Sequence, residues 1–274
     1  AWYDDVALDL LDTKELKPAV AIDAGRAFEP MSPYIYGQFI EHLGRCIYGG
    51  IWAEMLDDRK FFYAAGGRES PWKVLGERAA VAMQTQAPLA GAHAVELRPS
   101  ADGAPAGIVQ DGLGLIAGKE YVGRIAAAGT GETGPVTVSL VWGPGENDRR
   151  RIEIAGLSAE YEKKPFRVKA GASTDDGRLE IAAAPRAGGS VRIGAVSLMP
   201  ADHVSGMRPD TLALLKELNS PIYRWPGGNF VSGYDWKDGL GDPDRRPPRK
   251  NPAWRGVEHN DVGINEFMAF CREL

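Results

Sequence analysis

Apolar and polar positions recur along this chain in two rhythms, and the change between them divides it. Near the start Val6, Leu8 and Leu10 alternate with Ala7 and Asp9, which predicts a half-buried strand over residues 1–11. Residues 12–17 read as a polar linker and 19–22 as a second short strand. Residues 33–41 form a continuous apolar-aromatic run ending in Glu41, His42 and Gly44. Such a run suits a strand buried on both faces of a parallel sheet. Over 51–62, Trp52, Met55, Leu56, Phe61 and Phe62 are interleaved with Glu54, Asp57, Asp58, Arg59 and Lys60. That mixture predicts a short amphipathic helix or a structured loop, with the charges on a solvated face.

From Trp72 to Asp202 the rhythm changes to short alternating runs, at 136–142, 151–154, 178–181 and 191–198. Turn residues divide them at Asp111-Gly112, 129–131, 143–145, Asp176-Gly177 and Gly188-Gly189. Short strands at this spacing predict an antiparallel sandwich, with Trp72, Tyr121, Trp142, Tyr161 and Phe166 in its core. After it the helical period returns. Pro209 and Asp210 suit a first helical turn, and Leu212, Leu215 and Leu218 would form its buried stripe. A polar loop over 239–256 contains Pro243, Pro247, Pro248 and Pro252 together with Arg245, Arg246, Arg249 and Arg255. Asn260 or Asp261 would cap a second helix carrying Phe267, Phe270, Cys271 and Leu274 on one face.

Between the two helices lies the most informative stretch, Arg224-Trp-Pro-Gly-Gly-Asn-Phe230. The short apolar run before it predicts a buried strand. Pro226 lacks an amide to donate, and Gly227-Gly228 permit backbone angles denied to other residues, so the strand stops there. Arg224 then stands at the carboxyl end of one strand and Glu41-His42 at the carboxyl end of another. In barrels and open α/β sheets that edge is where ligands bind. The order is strand, inserted sandwich, helix, strand, helix. Two βα units leave unpaired edges, so connectivity alone predicts the front part of a larger barrel.

Composition narrows the function classes. With 44% hydrophobic and 25% charged residues, the 274-residue chain is ordinary globular material. A net charge of −5 argues against nucleic-acid and anionic-membrane partners. Two cysteines make neither a disulfide framework nor a zinc site, and the four histidines lack ligand spacing, so no metal and no cofactor is expected. No Gly-x-Gly-x-x-Gly joins a strand to a helix, which removes a dinucleotide reading. The chain begins at Ala1, so either a leader has been removed or this is part of a longer polypeptide.

Tyr34-Ile-Tyr-Gly-Gln-Phe-Ile-Glu-His-Leu-Gly-Arg-Cys-Ile-Tyr-Gly-Gly50 and Tyr223-Arg-Trp-Pro-Gly-Gly-Asn-Phe230 resemble the first two barrel strands of α-L-arabinofuranosidases of glycoside hydrolase family fifty-one. The likeness continues through Tyr234-Asp-Trp-Lys-Asp-Gly239 and through Ala253-Trp254 to Asn260 and Glu266-Phe267. The sandwich resembles carbohydrate-binding-like modules that some members carry between first strand and first helix. Residues 1–6 resemble the closing strand of such a module. The resemblance therefore implies an α/β plus all-β chain, the front part of a (β/α)8 barrel interrupted by an antiparallel β-sandwich insertion. Its parts would be residues 1–17 from an upstream module and linker, 18–71 opening the barrel, the sandwich at 72–202, and the barrel resuming over 203–274.

The implied activity is release of terminal arabinofuranose from arabinan, arabinoxylan or their oligosaccharides, with retention. Retention needs two carboxyl groups about 5 Å apart. In this family both are glutamates on the fourth and seventh strands, expected after Leu274, so the stretch in hand would not hydrolyse sugar by itself. What it would supply is substrate binding. Glu41 resembles the family's glutamate that accepts from a furanose hydroxyl, unless it is a structural carboxylate pairing Arg45 or Arg224. Arg224 resembles the arginine beside the nucleophile, Asn229 stands where some members have cysteine, and Trp254 resembles the aromatic lining the subsite. His42 and His259 read as packing or hydrogen-bonding residues. The partners implied are arabinose-containing polysaccharide or oligosaccharide and, from the family's habit, a second copy of the chain. Polysaccharide substrates lie outside cells, which points to an extracellular or periplasmic location, with the cytoplasm as the alternative. Two other classes stay open: an endo-acting β-glucanase or xylanase on the same barrel, and a non-catalytic carbohydrate-binding protein.

Overall fold

The computed structural model describes residues 17–274; the strand read over 1–11 lies outside them. In chain order the strands are β1 (Gln38–Phe39), β2 (Lys73–Leu75), β3 (Val81–Gln84), β4 (Ala94–Leu97), β5 (Ala106–Leu115), β6 (Glu120–Thr130), β7 (Val136–Val141), β8 (Arg149–Ile154), β9 (Glu162–Lys169), β10 (Thr174–Ala183) and β11 (Ser190–Pro200). Then come helix α1 (Pro209–Leu218), β12 (Tyr223–Arg224), β13 (Arg249–Lys250), β14 (Val257–Glu258) and helix α2 (Ile264–Glu273).

Strands β2 to β11 build a sandwich of two five-stranded antiparallel sheets, in the orders β2-β5-β10-β7-β8 and β3-β4-β11-β6-β9. Leu179, Ile181, Val138 and Ile108 from the first sheet meet Val191, Ile193, Ile125 and Leu97 from the second in one buried core. Trp72, Tyr121 and Phe166 join it, while Trp142 and Tyr161 are half-buried. β9 shows why an alternating sequence ends a sheet. Phe166 and Val168 point inward between exposed neighbours, and Pro165, without an amide to donate, is tolerated because β9 is an edge strand.

Two of the predicted turns are irregularities inside long strands instead. Asp111-Gly112 lies within β5, where Leu113 pairs with Gly177 but Gln110 pairs with Leu179. β5 carries an extra residue there, and Gly112, at φ +74°, supplies the left-handed angle such a bulge needs. Asp176-Gly177 belongs to the compensating shift in β10. A third irregularity, between Ile193 and Ala195 in β11, changes which side chains face the core. Val191 and Ile193 point into the sandwich before it, Val196 and Leu198 after it. Ser197 and Met199 are thereby turned outward, toward the rest of the chain.

That outward face is covered by residues 54–59. The Glu54 carboxylate accepts from Leu198 N–H (2.9 Å) and Ser197 hydroxyl (2.6 Å), and Val196 N–H donates to the Arg59 carbonyl (2.9 Å). Gln110 exchanges two hydrogen bonds with the Asp57 backbone. The solvated charged face expected over 51–62 is therefore wrong. The segment is irregular, and Asp58, Arg59 and Lys60 are 3%, 1% and 0% exposed. Arg59 bonds Asp244 Oδ1 (2.7 Å) and both oxygens of Asp261 (2.6 Å each), and Lys60 reaches Asp261 at 3.0 Å. Arg124 of β6 and Lys163 of β9 reach the same Asp244. Charges of both signs occur at the right distances to be buried together, which no helical wheel reveals.

Other expectations are corrected by missing ladder partners. Residues 19–22 form no strand, and Val20 and Ile22 are 87% exposed, because no segment among the described residues lies beside them. The run over 33–41 begins as a 3-10 turn, Pro33–Tyr36, and only Gln38–Phe39 is strand. It pairs in parallel with β12, and Tyr34, Ile35, Tyr36 and Phe39 stay exposed rather than buried on two faces. Among the described residues β1 and β12 make a parallel sheet of two strands and no barrel. On α1 only Leu212 is buried; Leu215 packs beside it and Leu218 is exposed. α2 is capped at Gly263, whose N–H donates to Glu266 (2.9 Å), and not at Asn260 or Asp261. The Asp261 side chain is already committed to Arg59 and Lys60.

Arg59→Ala leaves two buried carboxylates short of their shared cation, and urea unfolding should show a loss of about 3–5 kcal/mol. Acid adds a second check. Burial alone would raise the Asp244 and Asp261 pKa values, but Arg124 and Arg59 around the first, and Arg59 and Lys60 around the second, hold both well below the ordinary 3.8. Their contribution is complete above that value and drains away as pH falls below it. Stability measured down through about pH 4 should decline, with a shallower slope in Asp244→Asn.

Candidate functional site

β1 and β12 lie side by side in parallel, Gln38 against Tyr223 and Phe39 against Arg224, and Ile40 N–H continues the ladder to the Arg224 carbonyl (3.0 Å). Glu41 and Trp225 are the next residues along the two strands, so both emerge at the same carboxyl edge. Beyond Trp225 the Trp225–Pro226 peptide is cis and Gly227 adopts φ +94°. A Cβ on Gly227 would stand 2.3 Å from the Glu41 Cβ, so the loop comes this close to Glu41 only with glycine there.

The closeness serves the carboxylate of Glu41, a residue 5% exposed. Its Oε1 accepts from Phe230 N–H (2.8 Å) and from the Trp254 indole N–H (3.0 Å). Burial by itself would raise its pKa. The donors at Phe230 and Trp254, with the amides of Gly228 and Asn229, outweigh burial and hold it below the ordinary 4.5. Successive backbone N–H groups around one anion form a nest, and they favour the ionised carboxylate. No ion pair joins Glu41 to Arg45 or Arg224 among the described residues. Its partners are the 226–230 loop and Trp254, and its remaining acceptor capacity lies on Oε2.

Arg224 sits with its guanidinium carbon 5.1 Å above the Phe39 ring and is exposed. Asn229 is exposed too, and its side chain makes no capping bond to the short 3-10 turn that follows. Trp254 is half-buried at the tip of the β13–β14 hairpin, where the Asn251 side chain accepts from its backbone N–H (2.8 Å). Glu41 and Trp254 are thus in direct contact. Arg224 and Asn229 flank Glu41 through the ladder and the loop.

Behind this rim stands His42. Its Nδ1 bonds Glu258 Oε2 (2.7 Å), and its Nε2 accepts from the Trp225 indole N–H (3.0 Å). Because indole only donates, the ring proton belongs on Nδ1. The ring stacks on Phe230 at 4.5 Å, and the His42 carbonyl accepts from Asn251 (2.9 Å). Glu258 also accepts from Tyr48 hydroxyl and Asn260 N–H. Burial opposes ionisation of Glu258, but His42, Tyr48 and Asn260 keep its pKa below the ordinary value. His259 is buried and its pKa is pushed down by that burial. Tyr48, Asn251 and Glu258 escaped the sequence reading. Their one signal was position, each lying within a stretch already singled out for other residues.

Chemically the rim offers a buried carboxylate acceptor, a guanidinium donor, a carboxamide and an indole face. These are means of holding a neutral, hydroxyl-rich ring: acceptors and donors for hydroxyls, an apolar face for C–H surface. Among the described residues no group of three or more His, Cys, Asp or Glu side chains is arranged to hold a metal ion. No helix of the described residues is long and apolar enough to cross a membrane.

The fold and rim define a sandwich joined to a short parallel pair with a polar, aromatic edge. Residues 214–274, which carry Arg224, Asn229 and Trp254, match the family described as "Alpha-L-arabinofuranosidase 1 domain". The chain is 54% identical over 69 residues to an intracellular exo-alpha-(1->5)-L-arabinofuranosidase of Acetivibrio thermocellus, covering 25% of this chain and 14% of that protein. A Bacillus subtilis protein named intracellular exo-alpha-(1->5)-L-arabinofuranosidase 1 is 49% identical over 69 residues, with the same coverage. An Aspergillus clavatus protein named probable alpha-L-arabinofuranosidase C is 49% identical over 75 residues, 27% of this chain and 15% of that one. The chain thus spans about a seventh of the length of these relatives. This stretch is related to arabinofuranosidases, which are glycosidases. Among solved structures, the module TmCBM61 in complex with beta-1,4-galactotriose overlaps 54% of this chain and 98% of its own at TM-score 0.40 and 20% identity. That overlap is too distant to speak for a ligand.

The Gly227 contact yields a paired prediction. Gly227→Ala forces a side chain into Glu41 at a left-handed φ and should cost about 1–3 kcal/mol in chemical unfolding. Gly228→Ala meets Phe39 at an ordinary 3.6 Å and should fall within about 0.5 kcal/mol of wild type.

Proposed function

We propose that the whole protein is a retaining, exo-acting α-L-arabinofuranosidase of glycoside hydrolase family fifty-one, acting on arabinan, arabinoxylan or their oligosaccharides. One observation carries the reading. The stretch related to arabinofuranosidases supplies Trp254 and the 228–230 amides, and these close on Glu41 from outside that stretch. A rim assembled from both ends of the chain supports a shared ligand.

In this reading Glu41 accepts a furanose hydroxyl through Oε2, as an ionised acceptor that strengthens the bond. Trp254 covers the C–H face of the sugar while its N–H keeps the Glu41 carboxylate turned correctly. Arg224, exposed and supported by Phe39, holds a neighbouring carboxylate ionised and oriented through its fork. Asn229 contributes its carboxamide to a hydroxyl. The acid/base and the nucleophile belong to two glutamates elsewhere in the family's (β/α)8 barrel, of which β1 and β12 are the first two strands. The sandwich is the inserted module. The Acetivibrio thermocellus and Bacillus subtilis relatives are named intracellular, which favours the cytoplasmic alternative and oligosaccharides as substrates.

Side-by-side assays of the whole polypeptide on an aryl α-L-arabinofuranoside, β-glucan and xylan test this. Cleavage of the arabinofuranoside alone is expected, with kcat/KM lowered roughly 10- to 100-fold in Glu41→Ala, the loss of a charged hydrogen bond. Cleavage of β-glucan or xylan without the arabinofuranoside would overturn the assignment.

A further inference from the structure

Trp254 is carried by a hairpin whose two roots are tied together. β13 and β14 pair Arg249 with Glu258 and Lys250 with Val257. Asp244 precedes the hairpin and Asp261 follows it. The buried Arg59 bonds both, at 2.7 Å to Asp244 and 2.6 Å to Asp261, and Lys60 adds the Pro243 carbonyl (2.7 Å) on one root and Asp261 (3.0 Å) on the other.

The sandwich reaches the same root. Arg124 on the outward face of β6 sends Nε to Asp244 Oδ2 (2.7 Å) and Nη2 to Oδ1 (2.8 Å), while Nη1 bonds the neighbouring Ser197 hydroxyl (3.0 Å). Lys163 on β9 approaches Asp244 Oδ2 at 3.1 Å and Asp242 at 2.5 Å. Asp244 is 1% exposed, whereas the Arg124 side chain keeps 32% of its surface in solvent. A two-point fork fixes direction as well as distance, and here it joins a sandwich strand to the base of the Trp254 hairpin.

We propose that Arg124 is a positioning residue: through Asp244, the sandwich sets where the 249–258 hairpin presents Trp254 to Glu41. The sandwich is then a fixed wall of the rim and not a module on a tether. The catalytic consequence rests on the sugar-site reading above, but the positioning of Trp254 does not. Without Arg124, Asp244 keeps Arg59 and Lys163 as counter-charges, so the fold persists while the hairpin loses its orientation.

The test uses Arg124→Ala and Arg124→Lys in the whole polypeptide. Amide hydrogen exchange in 249–258 should quicken roughly tenfold in Arg124→Ala, with β5 and β10 on the far sheet unchanged. Acrylamide quenching of tryptophan fluorescence should rise, and that rise should vanish in a Trp254→Phe background. KM for an aryl α-L-arabinofuranoside should increase severalfold with kcat within about twofold. Arg124→Lys, which keeps the charge without the fork, should fall between, and it carries the test by itself if Arg124→Ala does not fold. Unchanged exchange and quenching, or a change spread evenly through the sandwich, would overturn the proposal. If exchange and quenching respond but the wild-type protein leaves the arabinofuranoside intact, the positioning stands and the substrate reading falls.

Discussion

A guanidinium buried between two carboxylates is the constraint on which the rest of this molecule depends. Arg59 leaves water entirely, and so do Asp244 and Asp261. Taking three charges from water costs several kcal/mol per ion before any attraction is counted, so the arrangement is poor evidence of extra stability. What it supplies is uniqueness. An apolar contact between the 54–59 segment and the 239–261 loop could slide; a planar fork with donors on both carboxylates has one satisfactory position. Lys60 shows the tension, its amine drawn by burial from 10.5 down to about 8 in spite of Asp261.

The rim inherits its geometry from that constraint. Only two residues of β1 and two of β12 form a ladder, too few to orient side chains by backbone pairing alone. Glu41 makes up the deficit by drawing the 228–230 amides around its carboxylate and by taking the Trp254 indole from the far side. His42, Glu258 and Tyr48 form a second buried set behind it, joining β1 to β14. Two hydrogen-bonded carboxylates thus hold the 41–48 and 251–260 stretches together. Hydrogen bonding in a dry interior is worth most when every donor and acceptor is used; the Glu258 carboxylate has partners on both oxygens, whereas Glu41 keeps Oε2 free at the rim.

The inserted sandwich changes meaning in this light. Its core is closed with help from the preceding segment, since Leu56, Phe61 and Ala65 lie in the same buried cluster as its strands. The irregularity in β11 turns Ser197 and Met199 outward, and β6 presents Arg124 on the same side. Ser197 meets Glu54 and Arg124 meets Asp244 at the root of the Trp254 hairpin, while Met199 joins the apolar cluster of Trp52, Met207 and Leu212. The family match covers residues 214–274, whereas the cation that grips Asp244 from the sandwich lies outside it.

Local pattern carried the sequence reading where each residue's partner was close by or its alternation was clean. The sandwich, the Pro209 helix start and the stop at Gly227-Gly228 are legible because propensity, period and backbone chemistry act within a few residues. Asp111-Gly112 and Asp176-Gly177 sit at strand irregularities and not at turns, because glycine serves both and only the facing strand tells which. Burial of Arg59 and Lys60 is not legible in the sequence, since their counter-charges Asp244 and Asp261 lie some two hundred residues away along the chain, and burial of Asp58 rests on the amides of Phe62 and Tyr63, which only the folded turn aims at its carboxylate. The convergence of Glu41 with Trp254 was equally a matter of tertiary structure. Side-chain type announces what a group can do, but whether a charge meets water or an opposite charge is decided by which distant segments the fold brings alongside it.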